Sequence, residues 1–241
     1  MTKNRQSAAS NLSDLTRNQL QLFLSGRLGD GCIYKSKKGA SNSEYYTNCK
    51  YEEYIDYKRT LLGTVAGNKS YIEHNGFCQT PIWVLHSHRL PVLNIIKDMN
   101  ITEVLDSLDD LGLALWFYDD GSLHKSKLFY NLNTQKYSEE VHREILVPYF
   151  KDKWGIKVIP TIERKIDGRI FWYLRIRKYE GAFKISEILS KYFIPCYNYK
   201  IISSETIQKW SKLQEELKRI GKDYTKIHPH TLTCMMNKIT L

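Results

Sequence analysis

The sequence lacks the features that mark several protein classes. No apolar run in its 241 residues reaches the roughly 18 residues that a membrane-spanning helix needs, which excludes an integral membrane protein. The five cysteines are odd in number and form no C-x-x-C, so neither a disulfide framework nor a structural zinc site is expected. The first 15 residues, MTKNRQSAASNLSDL, contain no apolar stretch of the kind found in secretory signals. A reducing compartment and a protein that is not secreted are the resulting expectations.

Acidic residues are scarce relative to basic ones, and the imbalance is uneven along the chain. The sequence has 36 Lys and Arg against 26 Asp and Glu, a formal net charge of +10. Residues 1–110 hold 13 basic and 12 acidic side chains, whereas the rest of the chain holds 23 and 14. An excess of this size suggests a polyanionic partner, such as nucleic acid or an anionic membrane surface, although a basic protein without such a partner has the same composition.

An internal repeat organises the chain. The segment FLSGRLGDG (23–31) recurs in outline as LALWFYDDG (113–121), and each is an apolar helix that ends in an acidic residue and a glycine. KYEEYIDYKRTLL (50–62) is followed in the same order by KYSEEVHREIL (136–146). The strand-like IWVLHS (82–87) likewise recurs as FWYLRI (171–176). Three matches at offsets of 90, 86 and 89 indicate two copies of a unit of about 90 residues.

The predicted fold is α+β, with two pseudo-symmetric αββαββα repeats, each built on an antiparallel sheet. The predicted segments are a disordered leader (1–12), the first repeat (13–100), a linker (101–111), the second repeat (112–203) and a basic C-terminal helix and tail (204–241).

Alternation along the strands of the second repeat predicts a polar, basic sheet face. Ile170, Trp172, Leu174 and Ile176 point to the core by this reading. The opposite face of these strands is nearly free of acid, which favours contact with DNA or RNA over the alternative of a merely solvated face. The corresponding positions of the first repeat are less basic. The predicted nucleic-acid contacts are Tyr34, Lys35, Lys37, Lys38, His86, His88, Lys125, Lys127, Asn131, Asn133, Arg169, Tyr173, Arg175 and Arg177.

Asp30 and Asp120 stand at equivalent places at the ends of the two apolar helices. A negative charge there opposes the helix dipole, at a cost of about 0.3–1 kcal/mol. An Asp-Gly turn without a function explains either copy alone. If the two helices pack side by side, however, both carboxylates meet, and a divalent cation with oxygen ligands, such as Mg²⁺, would balance them.

These residues resemble the paired motifs of the LAGLIDADG homing endonuclease family, in its single-chain, intron-encoded form. The resemblance runs from about residue 15 to 204. The first motif keeps mainly Leu28 and Asp30-Gly31, whereas LALWFYDDG is much closer to the family pattern. Further similarity lies in LNTQ (132–135) and in IPCYNYKIISSET (194–206).

The resemblance implies two motif helices packed together and a saddle-shaped sheet on the DNA in each repeat. It implies divalent metal, Mg²⁺ or Mn²⁺, at Asp30 and Asp120, with Gly29 and Asp119 at the same site. It further implies water-positioning roles for Gln135 and for its counterpart Asn48 or Cys49, and lysines near the scissile phosphates at Lys200 and Lys97.

The predicted function is therefore metal-dependent, site-specific cleavage of double-stranded DNA at a target of about 20 bp, one helical turn per repeat, in intron or intein homing. A monomer in bacterial or phage-infected cytoplasm, or in an organellar matrix, is expected. Two alternatives remain open: an RNA maturase that binds intron RNA during group I splicing, and a DNA-binding regulator without catalysis.

Overall fold

The structure, a computed structural model, describes six stretches of the chain. They are residues 9–36, 39–73, 80–124, 129–164, 167–176 and 179–240. Five of the predicted nucleic-acid contacts lie outside the described residues: Lys37, Lys38, Lys125, Lys127 and Arg177.

The first half follows the order helix, two strands, helix, two strands, helix. Its elements are a 3₁₀ turn (Leu12–Asp14), α1 (Arg17–Leu28), β1 (Cys32–Tyr34), β2 (Glu44–Cys49), α2 (Glu52–Leu62), a 3₁₀ turn (Gly63–Val65), β3 (Ala66–Ile72), β4 (Ile82–Ser87) and α3 (Val92–Asp98). The short helix α4 (Ile101–Ser107) occupies most of the predicted linker. Of the predicted leader, 1–8 lies outside the described residues, and Leu12 begins the first 3₁₀ turn.

The second half repeats this order. It contains α5 (Asp110–Asp120), β5 (Gly121–His124), β6 (Phe129–Asn133), α6 (Glu139–Val141), a π-helical turn (His142–Leu146), α7 (Val147–Trp154), β7 (Ile159–Arg164), β8 (Ile170–Ile176), α8 (Tyr179–Lys191) and a 3₁₀ segment (Pro195–Lys200). After it come α9 (Ser204–Arg219), a 3₁₀ turn (Tyr224–Lys226) and α10 (Pro229–Met236).

The two sheets have the same topology. One has the strand order β1-β2-β4-β3, the other β5-β6-β8-β7, and every pairing is antiparallel. Each pair of central strands therefore joins the second strand of a half to its fourth. This identity of order confirms the α+β fold with two repeated halves.

The compact units of the chain do not follow the repeat boundaries. The first unit contains residues 1–120 and 192–198, and the second unit contains residues 121–191 and 199–241. The difference arises because α5, which begins the second repeat, packs against α1. Sequence equivalence defines the repeats, whereas tertiary contacts define the units.

The motif helices α1 and α5 form because their sequences cap and bury them. Thr16 caps α1, since its hydroxyl accepts from the Gln19 amide while the Gln19 side chain accepts from the Thr16 amide. Every residue from Leu111 to Tyr118 of α5 is buried, as expected for a helix surrounded by protein on all sides. Gln21 of α1 joins α1 to the end of α4 and to the residue just before α5. Its amide donates to the Ser107 carbonyl at 2.9 Å and accepts from the Asp109 amide at 2.8 Å.

In the second repeat, a π-helical turn interrupts the helix that the αββαββα pattern predicts between the two pairs of strands. Pro148 explains it, because proline inside a helix lacks an N–H and its ring collides with the carbonyl four residues earlier. The buried His142 in this turn lies 2.7 Å from the Thr134 hydroxyl through Nε2, and 2.7 Å from the Ser138 carbonyl through Nδ1. Burial lowers the pKa of His142, and the bond to Ser138 offsets part of this effect.

The C-terminal tail, for which the sequence predicts no definite order, contains α10. Leu232 and Met236, four residues apart, supply a buried stripe, and α10 contacts α9. In α9, the Trp210 ring stacks on Tyr179 of α8 with ring centres 4.1 Å apart. Aromatic packing thus attaches this segment to the second unit.

The predicted core position of Ile170 is wrong, since the residue is 53% exposed. It pairs with Arg164 at the free end of the β7–β8 hairpin. The pairing of β6 with β8 reaches only as far as Tyr173, so β6 gives Ile170 no neighbour. Leu174 and Ile176, which do face β6, are fully buried as predicted.

Candidate active site and nucleic-acid interface

The ends of α1 and α5, both in the first unit, bring the backbone of Gly29 against the carboxylates of the second motif. A β-carbon built on Gly29 would lie 3.1 Å from the Asp119 β-carbon and 3.3 Å from an Oδ2 atom of each of Asp119 and Asp120. Asp30 follows directly, is exposed, and acts electrostatically on Lys58 and Tyr45. The two motif ends therefore meet, with backbone from one against carboxylates from the other.

Asp119 is buried and holds a position unlike that of Asp120. Its side chain is 2% exposed, and Oδ1 accepts from the Tyr54 hydroxyl at 2.7 Å and from the Lys58 ammonium at 2.8 Å. Its Oδ2 is buried without a hydrogen-bond partner among the described residues. Gly29 stands at the equivalent position of the first motif, so the two motifs differ here.

Lys58 is the site residue that the sequence interpretation missed. It is fully buried, donates to the Thr47 hydroxyl at 3.0 Å, and lies 4.4 Å from the Tyr54 ring centre. Burial by itself lowers the pKa of Lys58, but Asp119, Tyr45 and Asp30 outweigh it, so the pKa is raised and the ammonium stays charged. The signal was present, because Lys58 lies on the apolar stripe of α2 with Tyr54, Ile55, Leu61 and Leu62.

A Mg²⁺ or Mn²⁺ ion fits these donors. Carboxylate oxygens are what such ions prefer, and one buried carboxylate oxygen, Asp119 Oδ2, has no hydrogen-bond partner among the described residues. Among the residues that the structure describes, no group of three or more His, Cys, Asp or Glu side chains could hold a metal ion by itself. Mg²⁺ usually keeps several waters and uses one or two carboxylates plus substrate phosphates, which matches Asp30 and Asp120.

The other predicted catalytic residues belong to both units. In the first unit, Asn48 donates to the Tyr46 hydroxyl at 3.1 Å, and Lys97 is exposed in the last turn of α3. In the second unit, Gln135 donates to Glu163 at 3.1 Å. Lys200, also of the second unit, is buried, and its carbonyl accepts from the Tyr130 hydroxyl.

On the open face of the second sheet, Arg175 is held in place before any partner binds. It donates to the Asn131 side chain at 2.9 Å and to the Tyr173 hydroxyl, and its guanidinium lies 4.8 Å from the Phe129 ring centre. The strand register places Asn133 opposite Tyr173, which confirms the predicted polar alternation there. Glu163 of β7 pairs with Phe171, so this face contains an acid that the sequence interpretation did not place on it.

The open face of the first sheet is less cationic. The His86 ring packs edge-on against Tyr46, and Tyr46 in turn packs against Tyr34. Glu44 lies 3.7 Å from His86 and 3.5 Å from Arg89, so a carboxylate offsets the basic groups here. The remaining described contacts predicted from sequence, Lys35, His88 and Arg169, are exposed, and Arg169 pairs with Asp167.

Two motif helices paired at their acidic ends, each joined to an antiparallel four-stranded sheet, define a class of DNA-cleaving protein. The model of the LAGLIDADG DNA endonuclease family matches residues 26–183, and the chain belongs to this family. Among the described residues, no helix is long and apolar enough to cross a membrane.

Individual relatives have low sequence identity to this chain. A probable intron-encoded DNA endonuclease 3 of Mycosarcoma maydis is 26% identical over 105 residues, which are 44% of this chain and 72% of that protein. The RecA protein of Mycobacterium gastri is 24% identical over 207 residues, 78% of this chain. The chain spans about half of that protein's length, 48%.

The fold is shared with a solved homing endonuclease. The structure of I-WcaI bound to its DNA recognition sequence superimposes with a TM-score of 0.64 at 20% identity, covering 78% of this chain and 87% of I-WcaI. A structure of I-DmoI in complex with DNA and Mn matches at 16% identity with a TM-score of 0.47, covering 73% of this chain and 98% of I-DmoI.

Proposed function

We propose that this protein is a metal-dependent endonuclease that hydrolyses both strands of double-stranded DNA at one site of about 20 bp, as intron or intein homing requires. The observation that carries the proposal is the meeting of the two motif ends, with Gly29 against the Asp120 carboxylate. Each repeat contributes one acidic motif end, so there is one such end for each of the two DNA strands. Because both motifs lie on one chain, a monomer suffices, and it would act in a cytoplasm or an organellar matrix.

Asp30 and Asp120 would hold the divalent ion, Mg²⁺ or Mn²⁺. When bound, such an ion activates water and neutralises the charge that develops on the scissile phosphate. The backbone at Gly29 leaves room for the carboxylates because it carries no side chain.

Polar groups of both units would assist from the protein side. Lys200 and Lys97 would each place a positive charge near a scissile phosphate. Gln135 and Asn48 would orient water through their amides. Hydrogen bonds to Glu163 and to the Tyr46 hydroxyl fix these two amides, and a fixed amide directs water without a further loss of side-chain freedom.

The sheet faces would bind the DNA. Asn, Arg and aromatic side chains reach base edges and phosphates in a major groove, where a two-stranded ribbon fits. Arg175 supports this role most strongly, because it is already oriented by Asn131 and Tyr173.

Replacing the motif acids tests the proposal. Asp30→Asn and Asp120→Asn are expected to keep DNA binding and to lose cleavage of one or both strands by at least about 100-fold, since each removes a charge that holds the ion. The wild-type protein is first incubated with Mg²⁺ and a library of intron-insertion sequences to find one discrete cut. Glu73→Gln, an acid outside the motifs, is the matched control.

Cleavage that persists at the wild-type rate in both motif variants would refute the proposal. The same variants also distinguish the endonuclease from the two alternatives, since neither an RNA maturase nor a DNA-binding regulator needs the carboxylates for its activity.

A further inference from the structure

His142 is buried at the start of the π-helical turn, with a hydrogen-bond partner at each ring nitrogen. Nδ1 lies 2.7 Å from the Ser138 carbonyl, which can only accept, so Nδ1 carries the proton. Nε2 therefore accepts from the Thr134 hydroxyl, also at 2.7 Å. π-helical turns are rare and often stand at functional sites. The neutral ring thus joins the start of this helix to the residue that follows β6.

The residue next to Thr134 is Gln135, to which the proposed function gives the orientation of water. Thr134 is buried, and its carbonyl accepts from the Tyr137 amide at 3.0 Å, which closes a turn around Gln135. The Gln135 side chain donates to Glu163 of β7 at 3.1 Å. His142 therefore fixes the buried side of the turn, and Glu163 fixes the side chain that the turn presents. Because Thr134 and Gln135 share a peptide bond, releasing one displaces the other.

We propose that neutral His142 is a positioning residue that holds Gln135 in place for the cleavage of one DNA strand. The inference rests on the proposed function for the role of Gln135, and it extends that function by naming what fixes this side chain. Histidine changes its charge near neutral pH, so this contact makes the second repeat sensitive to acid. In the first repeat, α2 contains no histidine, and the raised pKa of its buried Lys58 keeps that side chain charged. Acid therefore slows the cleavage of one strand before the other.

The surroundings of His142 favour its neutral form. Burial lowers its pKa below the ordinary value of 6.5, and the hydrogen bond to Ser138 offsets only part of this effect. On its own helix, Glu139 and Arg143 pair with each other at 2.7 Å, and β8 presents the ring of Trp172, 6.2 Å away between ring centres. Because the folded pKa lies below the unfolded one, the stabilising contact is present above pH 6.5 and is lost as the pH falls through the folded value.

Hydrogen exchange of the free full-length protein, followed by NMR, measures whether the turn depends on His142. In wild type, protection of the Tyr137 amide, corrected for its intrinsic exchange rate, is expected to fall about tenfold from about pH 8 to about pH 5. His142→Gln keeps an acceptor for the Thr134 hydroxyl but does not titrate, so its protection should stay constant. His228→Gln, which replaces an exposed histidine of the second unit, is the matched control and should behave like wild type.

Cleavage of the identified target, with a different fluorescent label on each strand, measures the effect on the reaction. In wild type, the ratio of the two strand-cleavage rates is expected to change about tenfold over the same pH range. The ratio cancels effects of acid on metal and water that both strands share. In His142→Gln the ratio should not vary with pH, although Glu163, the acidic partner of Gln135, is unchanged in that variant.

Thr134→Val removes the hydroxyl and leaves the histidine in place. It is expected to slow cleavage of the same strand about tenfold at every pH, and it decides the question if His142→Gln does not fold. A purely structural contact would instead lower the free energy of unfolding, measured by urea denaturation, and slow both strands equally.

Loss of protection in acid together with a strand ratio that depends on pH, both absent from His142→Gln, would support the inference. Protection or a ratio that does not respond to pH overturns it, as does a response that persists in His142→Gln. A wild-type protein that cuts neither strand would count against the endonuclease and against a role of His142 in cleavage. The exchange result would then decide by itself whether His142 holds the turn.

Discussion

Gly29 is the residue at which the two motif ends come closest. Its missing side chain is what this close approach requires. A β-carbon there would stand 3.1 Å from that of Asp119, tighter than ordinary van der Waals contact. A methyl group would thus press on the carboxylates themselves.

Gly29→Ala is therefore expected to lower cleavage about tenfold or more while changing the free energy of unfolding by less than about 1 kcal/mol. Steady-state cleavage and urea denaturation measure the two effects. Gly63→Ala supplies the reverse case, since Gly63 has φ of +54° and open space around it. It should cost about 1 kcal/mol of stability and leave cleavage unchanged. Equal activity of Gly29→Ala and wild type would show that the carboxylates tolerate displacement.

Individual site residues were predictable where a motif repeats and unpredictable where only packing decides. Asp30 and Asp120 could be selected because two copies of a helix end in the same way. Lys58 stands out in the sequence only as a charge on the apolar stripe of α2, and nothing in the sequence states which buried carboxylate lies opposite it. Asp119, grouped with the metal ligands by family resemblance, uses its other oxygen, Oδ1, to accept hydrogen bonds from Lys58 and Tyr54, which the sequence did not predict.

At the scale of elements, α1 and the α4–α5 junction are joined through one side chain. Gln21 makes both of its hydrogen bonds across this contact, and Gly112 leaves the space for it. A β-carbon at Gly112 would lie 2.4 Å from Gln21 Oε1 and 2.5 Å from Leu108 Cδ1. Both neighbours would have to move.

Gly112→Ala is expected to destabilise the protein by about 2–3 kcal/mol, because overpacking a buried contact displaces Gln21 and leaves polar groups unpaired. Thermal and urea unfolding measure the loss. Adding Gln21→Ala to Gly112→Ala removes the amide that collides and should give less than the sum of the two single losses. Strict additivity would mean that the two residues do not interact.

The hydrophobic pattern predicted which helices and strands form and in what order. It did not predict several of their ends and irregularities. Repeated strand patterns predicted both four-stranded sheets, and the register confirmed which face of β6 is polar. The π-helical turn depends on where Pro148 falls within a helix, and the exposure of Ile170 on how far β6 extends beside β8. Both are properties of neighbouring chain segments that periodicity does not encode.

At the scale of the whole molecule, the uneven distribution of net charge along the chain should affect DNA binding. The near-neutral first 110 residues and the strongly basic remainder suggest that the two halves grip DNA unequally. The structure adds a local reason, since Glu44 offsets basic groups on the first sheet face.

Arg175→Ala is expected to lower DNA affinity by about 1–3 kcal/mol and to reduce the slope of log K against log salt by about one. Lys35→Ala, on the less cationic half, should cost less at every salt concentration. Fluorescence anisotropy on the identified target, titrated from low to high salt, measures both. Equal losses from the two variants would contradict an unequal grip.

The sequence by itself determined the duplicated α+β fold, the two motif helices and their terminal acids, because local patterning and its repetition are written along the chain. Only the tertiary structure decided what surrounds those acids. Lys58, Tyr54 and Thr47 are distant from Asp119 in sequence, and they meet it because burying α2 and α5 places their polar groups where only one another can satisfy them.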